Sequence, residues 1–346
     1  MPVKSPRKIL VTGGGGFLGY AIAKLLSKRG DSVTSFSRRF YPELEPFNAK
    51  QIRGDISDKK AVGNACEGKE IVFHTAAKPG VWGDYKEYYR TNVEGTINVI
   101  EGCRRHDVSC LVHTSSPSVV FDGNNMEGAD ESVPYPKVFH AHYPQTKAIA
   151  EQHVLKASMS GLKTIILRPH LIWGPRDNHL VPRIIERAKR LRIVGNGKNL
   201  VDTTYIDNAA YAHILAADSL EKNNALSGKI YFISQGKPVP LWEMVNNFLK
   251  AGGLPPITRT IDPGIAVLTG TFLESLYRLL NIKSEPPMTK FVAKELATSH
   301  WFDITAAKRD LGYVPIVSTE EGLRRLEEWI KKTMKGKDET YRYFTS

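Results

Sequence analysis

Long apolar stretches are missing from this 346-residue sequence, cysteine is scarce, and acidic residues are outnumbered by basic ones. No run of eighteen apolar residues occurs, so we predict no membrane-spanning segment. Residues 1–8 are basic and lead directly into a strand-like run, which argues against a secretory signal. The three cysteines, Cys66, Cys103 and Cys110, cannot all pair, and their spacing fits no zinc pattern. We therefore predict buried thiols, no bound metal and a cytoplasmic protein, with peripheral attachment to a membrane surface left open.

The charge balance narrows the partners that the protein is expected to have. Lysine and arginine total 48 against 36 acidic residues, which gives a formal net charge of +12. Such a balance suits an anionic ligand, an acidic membrane face or nucleic acid, or it reflects a solvated basic surface. No stretch typical of a nucleic-acid-binding module occurs, so we predict no nucleic-acid partner.

Short β-branched runs alternate with helical patterns along the first half of the chain. The predicted strands are 8–11, 32–36, 51–53, 71–74, 111–114 and 164–167, and the predicted helices are 17–29, 88–105 and 143–157. This alternation predicts an α/β fold with a Rossmann-type, doubly wound parallel sheet. A helix at 208–217 and a strand at 229–233 return to the sheet, and helices at 241–250, 266–280, 289–296 and 319–334 complete the chain.

We therefore divide the chain into a dinucleotide-binding domain, a smaller helix-rich substrate lobe and a solvated basic tail. The domain comprises 1–175 and 201–236, the lobe comprises 176–200 and 237–330, and the tail is 331–346. The apolar segment 264–280 is interpreted as a helix buried in the lobe, with surface association as the alternative.

A glycine-rich turn separates the first strand from the first helix. Gly13, Gly16 and Gly19 recur at intervals of three, which lets the backbone turn tightly and approach a pyrophosphate. The helix that opens at Phe17 and Leu18 presents unpaired N–H groups to the same charge. This placement predicts a dinucleotide site that includes all five residues.

The end of the second strand bears on the choice of cofactor. It carries Arg38 and Arg39 and no acidic residue that would hold the adenosine ribose of NAD. Because arginine matches a 2′-phosphate, we predict NADP(H) over NAD(H), with a pair of surface arginines as the alternative. Asp55 and Ile56 follow the third strand and are predicted to meet the adenine edge, unless Asp55 only closes a turn.

A tyrosine and a lysine four residues apart form the candidate catalytic pair. Tyr143 and Lys147 share one face of a predicted helix that follows the fifth strand. Tyr20 and Lys24 have the same spacing inside the first helix, but they have no partner at a strand end. Ligands bind at the carboxyl ends of strands in such sheets, so we select Tyr143 and Lys147.

The chemistry of ketone reduction accounts for these residue types. Tyr143 can deliver a proton to oxygen, and the Lys147 cation is expected to lower the phenol pKa from about 10. Ser116 would donate a second hydrogen bond to the developing oxyanion. Asn92 is predicted to brace a strand or a water near the lysine. The alternatives are a surface tyrosine–lysine pair and a serine that only caps a strand end.

Several further stretches resemble one family of enzymes. They are 74–78 (HTAAK), 81–83 (VWG), 168–175 (RPHLIWGP), 205–208 (YIDN) and 297–302 (ATSHWF). With the glycines and the Tyr143–Lys147 pair, they resemble the extended short-chain dehydrogenases. In particular they resemble the 3β-hydroxysteroid dehydrogenase family, with its sterol-4α-carboxylate dehydrogenases and its bacterial 2-alkyl-3-oxoalkanoate reductases of olefin biosynthesis.

The resemblance implies roles for individual residues. Ser116, Tyr143 and Lys147 would be the catalytic triad, with Ser115 or Ser118 as alternative donors. Residues implied to contact the cofactor are Thr75, Ala76, Ala77 and Pro169, of which Pro169 begins the segment that caps the nicotinamide.

The resemblance also implies a reaction, namely interconversion of a 3-keto and a 3-hydroxy group on a hydrophobic lipid with NAD(P)(H). The candidate contacts for a substrate carboxylate are Lys78 and His170. Val81, Trp82 and Trp173 would line an apolar trough, although all five suit local packing equally well. The competing functions are a nucleotide-sugar epimerase or dehydratase and a non-catalytic regulatory protein. A homodimer and a complex with other hydrocarbon-biosynthesis enzymes are left open.

Overall fold

The computed structural model describes residues 6–335, in which strands alternate with helices from the start. The strands are β1 (Lys8–Thr12), β2 (Ser32–Ser37), β3 (Lys50–Arg53), β4 (Ile71–His74), β5 (Cys110–Thr114), β6 (Met126–Ala129), β7 (Thr164–Pro169), β8 (Ile172–Trp173), β9 (Ile193–Val194), β10 (Leu200–Val201), β11 (Thr204–Tyr205), β12 (Lys229–Ile233), β13 (Val239–Pro240), β14 (Thr260–Ile261) and β15 (His300–Phe302). The α-helices are α1 (Phe17–Lys28), α2 (Lys59–Cys66), α3 (Tyr85–Tyr88), α4 (Gly95–Arg105), α5 (His142–Met159), α6 (Leu180–Arg187), α7 (Ile206–Lys222), α8 (Leu241–Ala251), α9 (Pro263–Leu279), α10 (Lys290–Ala297), α11 (Thr305–Leu311) and α12 (Thr319–Lys335). A π-helical segment, Tyr89–Glu94, joins α3 to α4, and 3₁₀ helices lie at Pro42–Phe47, Pro117–Val120 and Asn224–Leu226.

Seven parallel strands form the main sheet, in the order β3-β2-β1-β4-β5-β7-β12. The chain starts at the centre with β1, builds outward to β3 and then crosses back to build the other half. This topology confirms the α/β, doubly wound prediction, and it brings the carboxyl ends of β1, β4, β5 and β7 to one edge.

Successive residues of the strands point to opposite faces of the sheet, and each face is covered by a separate apolar core. On β1, Ile9 and Val11 belong to one apolar cluster, whereas Leu10 belongs to the other. Both faces are therefore covered by helices, which explains why the central strands are almost wholly apolar. The three cysteines are buried and free, as predicted.

Several short or polar elements of the structure were not predicted from the sequence. The helix α2 is too polar to show an apolar stripe, and it begins because the Asp58 carboxylate accepts hydrogen bonds from the N–H groups of Lys60 and Ala61. The predicted helix 88–105 is interrupted by the π-helical segment, which the sequence does not signal. The helices α6 and α11 and the two-residue strands were also missed.

A second sheet and a third apolar cluster lie outside the main sheet. Its strands run in the order β13-β10-β15-β6, so β6 from the first half of the chain pairs with β15 from near its end. The third cluster lies among α8, α9, α10 and the neighbouring short strands. The predicted division into domains stays a prediction. Of the predicted tail, residues 331–335 belong to α12, and 336–346 lie outside the described residues.

The helix α9 is more exposed than predicted. Its only buried residues are Ala266 and Gly270, whereas Leu268 and Phe272 are 71% and 66% exposed. The interpretation as a buried helix is therefore wrong, because α9 packs on α10 through a narrow strip of small residues. Gly270 allows this close approach, since a Cβ there would lie 2.6 Å from the backbone carbon of Thr289. Within residues 6–335, no helix is both long and apolar enough to cross a bilayer.

Candidate active site

The glycine-rich turn forms a cradle that only glycine can line. Gly13 has a φ of +70°, and a Cβ there would lie 3.0 Å from the Ala76 backbone. A Cβ on Gly19 would lie 2.1 Å from the Gly13 carbonyl oxygen. The turn thus brings β1, β4 and the first helix together without side chains between them, which leaves room for a pyrophosphate.

The first turn of α1 supplies the polar groups of this cradle. Gly16 precedes the helix and makes no side-chain cap, so N–H groups of the first turn have no side-chain acceptor. The side chains of Phe17 and Leu18 pack on the core, so these residues face a ligand through their backbone. The donor set and the cradle fit the pyrophosphate of a dinucleotide.

The segment after β4 forms the opposite wall. Thr75 donates its hydroxyl to the Thr12 carbonyl oxygen at 2.7 Å, and the Ala76 N–H donates to the Thr12 hydroxyl at 3.4 Å. Ala77 follows in the same half-buried stretch, and Pro169 ends β7 at the same edge of the sheet. The structure therefore brings together the cofactor residues predicted at the ends of β1, β4 and β7.

The two arginines after β2 lie at the exposed end of the cleft. The Arg39 guanidinium stacks 5.7 Å from the centre of the Tyr41 ring, which itself lies against Gly15. Arg38 is also exposed, and its carbonyl oxygen accepts a hydrogen bond from Arg53. The Arg39 guanidinium is therefore held near the glycine turn.

The two residues predicted at the adenine edge have other contacts. The Asp55 carboxylate accepts hydrogen bonds from the N–H and the hydroxyl of Ser57, at 2.9 and 2.7 Å. These bonds, with Arg90 and Arg38 nearby, lower the pKa of Asp55 although burial opposes them. Ile56 is buried and packs where Gly95 leaves space. The observed contacts of Asp55 therefore agree with the alternative interpretation, in which this residue closes a turn.

Tyr143 lies in the first turn of α5, beside the end of β5. Burial raises the pKa of Tyr143, a hydrogen bond with Ser116 opposes that shift, and the Glu295 carboxylate adds to it. Part of the Tyr143 side chain remains accessible, as for a group that lines a cleft. The phenol therefore stays protonated near neutral pH, ready to act as an acid.

Lys147 lies one turn further along α5 and is almost wholly buried. Its Nζ donates to the Thr114 carbonyl oxygen at 2.6 Å and lies 3.5 Å from Nε2 of His113. Burial lowers the pKa of Lys147 to about 8, against the raising effect of Glu151. The expected lowering of the Tyr143 pKa by this lysine is not observed, because burial dominates at the phenol and the ammonium is directed at Thr114.

The three serines of the 115–118 run differ in orientation. The Ser115 hydroxyl is buried and has no partner among the described residues. Ser116 and Ser118 are hydrogen-bonded to each other at 2.9 Å, and the Ser116 hydroxyl acts on the Tyr143 phenol, whose pKa it lowers. Of the three, Ser116 is the hydroxyl placed beside the phenol.

Asn92 lies in the π-helical segment and joins two walls of the site. Its Oδ1 accepts from the Lys78 N–H at 2.7 Å, and its Nδ2 donates to the Lys78 carbonyl and the Thr146 hydroxyl. Asn92 thus ties the loop after β4 to the helix that carries Tyr143. The wide turn is typical of π-helices at functional sites.

Three buried histidines lie behind Lys147. His74 and His113 are cross-strand neighbours with ring centres 5.2 Å apart, and His213 on α7 is hydrogen-bonded to Thr114. Burial lowers the pKa of His74 to about 3, that of His213 to about 4, and that of His113 well below its usual range. All three are therefore neutral, which leaves Lys147 as the cation of this region.

The structure leaves some of the predicted substrate residues half-buried near the site and buries the others in the core. Val81 and Trp82 are half-buried in the loop after β4, where the Trp82 ring packs against Tyr277 of α9. Lys78 pairs with Glu87 at 2.5 Å. All three residues stay candidates for contact with a substrate.

His170 and Trp173 are not placed as predicted. His170 is bonded through Nδ1 to the Asp202 carboxylate at 2.5 Å and through Nε2 to His300 at 3.2 Å, so neither ring nitrogen is open to a substrate anion. Trp173 is fully buried and donates its indole N–H to Thr203. Both predictions are wrong, because Trp173 lies in the core where β8 pairs with β11, and His170, which precedes β8, is held by Asp202 and His300.

The structure adds charged residues that the sequence reasoning missed. Burial raises the pKa of Glu295, on α10, to about 7, against the lowering effect of His170 and Arg183, and the Glu295 carboxylate in turn raises the pKa of Tyr143. Arg183 on α6 pairs with Glu285. The signal was an acidic residue in the middle of an apolar helical pattern, just before the unusual stretch 297–302.

Taken together, the fold and the site define a Rossmann-type oxidoreductase that uses a nicotinamide cofactor. The model of the 3-beta hydroxysteroid dehydrogenase/isomerase family matches residues 10–261. The chain is 52% identical to the 2-alkyl-3-oxoalkanoate reductase of Stenotrophomonas maltophilia, over 92% of this chain and 98% of the relative. It is 32% identical to a mouse sterol-4-alpha-carboxylate 3-dehydrogenase (decarboxylating), over 93% of this chain and 91% of the relative. The chain therefore belongs to the 3-beta hydroxysteroid dehydrogenase/isomerase family.

Solved structures agree on the fold. A UDP-glucuronic acid 4-epimerase from Bacillus cereus, in complex with NAD, matches with a TM-score of 0.72 and 23% identity, over 94% of this chain and 99% of that chain. At this identity the likeness concerns the fold alone.

Proposed function

We propose that this oxidoreductase reduces the 3-keto group of a hydrophobic, carboxylate-bearing lipid to the 3-hydroxy group, with NADPH as its preferred cofactor. The observation that carries the proposal is the placement of Ser116 and Tyr143 together, at the strand edge that also holds the glycine cradle. The 52% identity to a 2-alkyl-3-oxoalkanoate reductase supports this class of substrate.

Reduction of a ketone requires a hydride and a proton, and the residues of the site have separate roles in this step. A bound nicotinamide supplies the hydride to the carbonyl carbon. Tyr143 donates its phenolic proton to the carbonyl oxygen, and its raised pKa keeps that proton in place until substrate binds. Ser116 donates a second hydrogen bond to the same oxygen as negative charge develops there.

Lys147 and Asn92 assist this step without contacting the carbonyl oxygen. The Lys147 ammonium is held by the Thr114 carbonyl oxygen one turn along α5 from Tyr143, where it can hold the ribose hydroxyls of a bound nicotinamide nucleotide. With a pKa of about 8, Lys147 can also return a proton near neutral pH. Asn92 holds the loop after β4 against α5 and thereby fixes the width of the cleft.

Replacing Arg38 and Arg39 together with alanine is expected to weaken NADPH binding far more than NADH binding. Loss of charge-assisted contacts to the 2′-phosphate costs about 1.5–3 kcal/mol, or roughly 10- to 100-fold in Kd. The measurement is a fluorescence titration of both cofactors. The same double change at Arg104 and Arg105, an exposed pair on α4, is the matched control. An unchanged NADPH/NADH ratio would leave NAD(H) as the cofactor.

Specificity is expected to rise with the length of the alkyl chains of a 2-alkyl-3-oxo acid, until the apolar trough is filled. Each buried methylene contributes about 0.8 kcal/mol, which corresponds to roughly fourfold in kcat/KM. The measurement is kcat/KM with NADPH across a series of chain lengths, beside a 3β-hydroxysteroid with NADP⁺. We expect the long-chain acids to be preferred over the bare steroid.

A UDP-hexose serves as the opposing substrate in the same assay. Sugar nucleotides are expected to give no turnover, because the two sequence relatives are named for a 2-alkyl-3-oxoalkanoate and a sterol-4-alpha-carboxylate, and the likeness to the UDP-glucuronic acid 4-epimerase concerns the fold alone. A flat response to chain length, together with good conversion of the UDP-hexose, would overturn the lipid proposal in favour of an epimerase.

A further inference from the structure

The helix α9 turns its apolar side chains to solvent, which is the reverse of an ordinary surface helix. Ile265, Leu268 and Phe272 recur at helical spacing and are 56%, 71% and 66% exposed, and Leu279 and Leu280 extend the same face at 82% and 59%. These five residues are referred to below as the apolar stripe. Since α9 packs on α10 through small residues on its other side, burial in the core does not account for the stripe.

The polar groups on this side of α9 make their hydrogen bonds within the protein. The Thr271 hydroxyl donates to the Val267 carbonyl oxygen at 2.8 Å, and the Ser275 hydroxyl donates to the Thr271 carbonyl oxygen at 3.0 Å. Over residues 263–277 the one charged side chain is Glu274, which is half-buried and accepts a backbone hydrogen bond from α10. Moving this face out of water would therefore strand neither a charge nor these two hydroxyls.

A run of cations lies beside α9. Residues 187–192 (RAKRLR) include four basic residues and no acidic one, and Lys189 and Arg190 are exposed. The Arg187 guanidinium donates to the Pro287 carbonyl oxygen at 3.2 Å, in the loop that follows α9. The strand β9, which comes directly after the run, pairs with β14, which leads into α9. This run, referred to below as the basic segment, is thus tied to the chain on both sides of α9.

Further cations lie at the two ends of α9, and the acidic residues there are engaged. Arg259 precedes the helix, Arg278 and Lys283 lie at its carboxyl end, and all three are exposed. The Asp262 carboxylate caps the first turn by accepting two backbone hydrogen bonds, and Glu285 pairs with two arginines of α6. The apolar stripe is therefore bordered by positive charge.

This combination fits an anionic lipid surface better than a second copy of the chain. Two stripes could pack together only by bringing the cations of both copies to one interface, where like charges repel. At an anionic bilayer the acyl chains accept the stripe and the lipid head groups attract the cations.

We propose that α9 lies in the surface of an anionic lipid bilayer, with the apolar stripe among the acyl chains and the basic segment among the head groups. With 17 residues the helix is about 25 Å long and lies parallel to that surface. The Tyr277 ring of α9 packs edge-on against Trp82 at 6.3 Å, and the Trp82 indole donates to the Ile282 carbonyl oxygen at 3.4 Å. Docking therefore brings the loop after β4, with its candidate substrate residues, to the bilayer.

The test is sedimentation of the full-length chain with vesicles, without cofactor or substrate, so its result does not depend on the proposed function. We expect binding to vesicles of phosphatidylcholine mixed with phosphatidylglycerol, and binding weaker by about tenfold or more to vesicles of phosphatidylcholine alone.

Removing part of the stripe should weaken this binding. In Leu268→Ser combined with Phe272→Ser, two side chains no longer enter the acyl region, and Kd should rise about 10- to 100-fold. Val138→Ser combined with Met159→Ser is the matched control, since these apolar residues lie outside α9 and are 67% and 79% exposed. Their replacement should leave binding unaltered.

Removing charge from the basic segment should act on the anionic vesicles alone. Lys189→Gln combined with Arg190→Gln should raise Kd for them about tenfold and leave binding to phosphatidylcholine unchanged. Arg104→Gln combined with Arg105→Gln makes the same change of charge at an exposed pair on α4 and should have little effect.

The proposal is overturned if the wild-type chain binds no vesicles, if it binds both kinds equally, or if the stripe variant binds as the wild type does. A dimer in vesicle-free solution that the stripe variant abolishes would assign the stripe to a second copy instead. All substituted side chains are exposed, so the variants are expected to fold, which circular dichroism verifies. If the stripe variant does not fold, the charge variants decide, and equal effects of the two would overturn the proposal.

Discussion

Tyr143→Phe is expected to lower kcat by about 10²- to 10⁴-fold while Kd for NADPH stays nearly constant. The change removes only the phenolic oxygen, so the substrate loses its proton donor and Ser116 is left as the single donor to its oxygen. The ring, the helix α5 and the glycine cradle remain. The measurement is single-turnover reduction of a 2-alkyl-3-oxo acid at saturating NADPH, with the cofactor affinity determined separately.

Tyr20→Phe is the matched control for this substitution. Tyr20 precedes Lys24 at the same spacing, but it lies on α1, where its ring packs edge-on against Phe47 and beneath the Arg176 guanidinium. These contacts use the ring and not the hydroxyl, so kcat should change by less than about twofold. Equal losses in the two variants would show that the wrong tyrosine–lysine pair was chosen.

The free energy of unfolding is expected to fall steeply as the pH drops from 6.5 to 5. The pKa values of four buried histidines are lowered, those of His74 and His300 to about 3, that of His213 to about 4, and that of His113 well below its usual range. Below pH 6.5 the unfolded chain takes up protons at these histidines and the folded chain does not. Each therefore removes about 1.4 kcal/mol of stability per pH unit.

Two carboxyl groups act in the opposite direction. Burial raises the pKa of Glu295 to about 7 and that of Asp177 to about 6, so the folded chain binds these two protons first and gains stability on acidification. Four histidines outweigh two carboxyl groups, which leaves a net loss on the order of 3 kcal/mol between pH 6.5 and 5. Urea unfolding at pH 7, 6 and 5 measures this loss, and His213→Gln should reduce it. A stability that is flat or rises over that range would contradict the assignment of neutral histidines.

Local patterns in the sequence were sufficient to locate the sheet and to propose the glycine turn and the Tyr143–Lys147 pair. The strands of the parallel sheet are short apolar runs bounded by turns, so their positions were predicted to within one or two residues. The glycine intervals and the Tyr143–Lys147 spacing are likewise local, because a turn or a single helix realises them directly.

The rest of the site depends on contacts between distant parts of the chain. Arg183 and Glu285 are 102 residues apart, and His170 and His300 are 130 apart, so no periodicity relates them. The error at Trp173 has the same origin, since its direction is set by pairing of β8 with β11. The lowered pKa of Lys147 also comes from tertiary burial, which residue spacing does not reveal.

The pairing of β6 with β15 determines the order in which the protein can be assembled during synthesis. The two strands are drawn together by residues 174 apart, such as Asn125 and Ser299. The glycine cradle and the Tyr143 helix are complete long before β15 leaves the ribosome. Until then β6 has no partner in its sheet, and its open edge is a template for pairing with other chains. A nascent or truncated chain that ends before residue 300 is therefore expected to hold its cofactor cleft and yet be prone to aggregation.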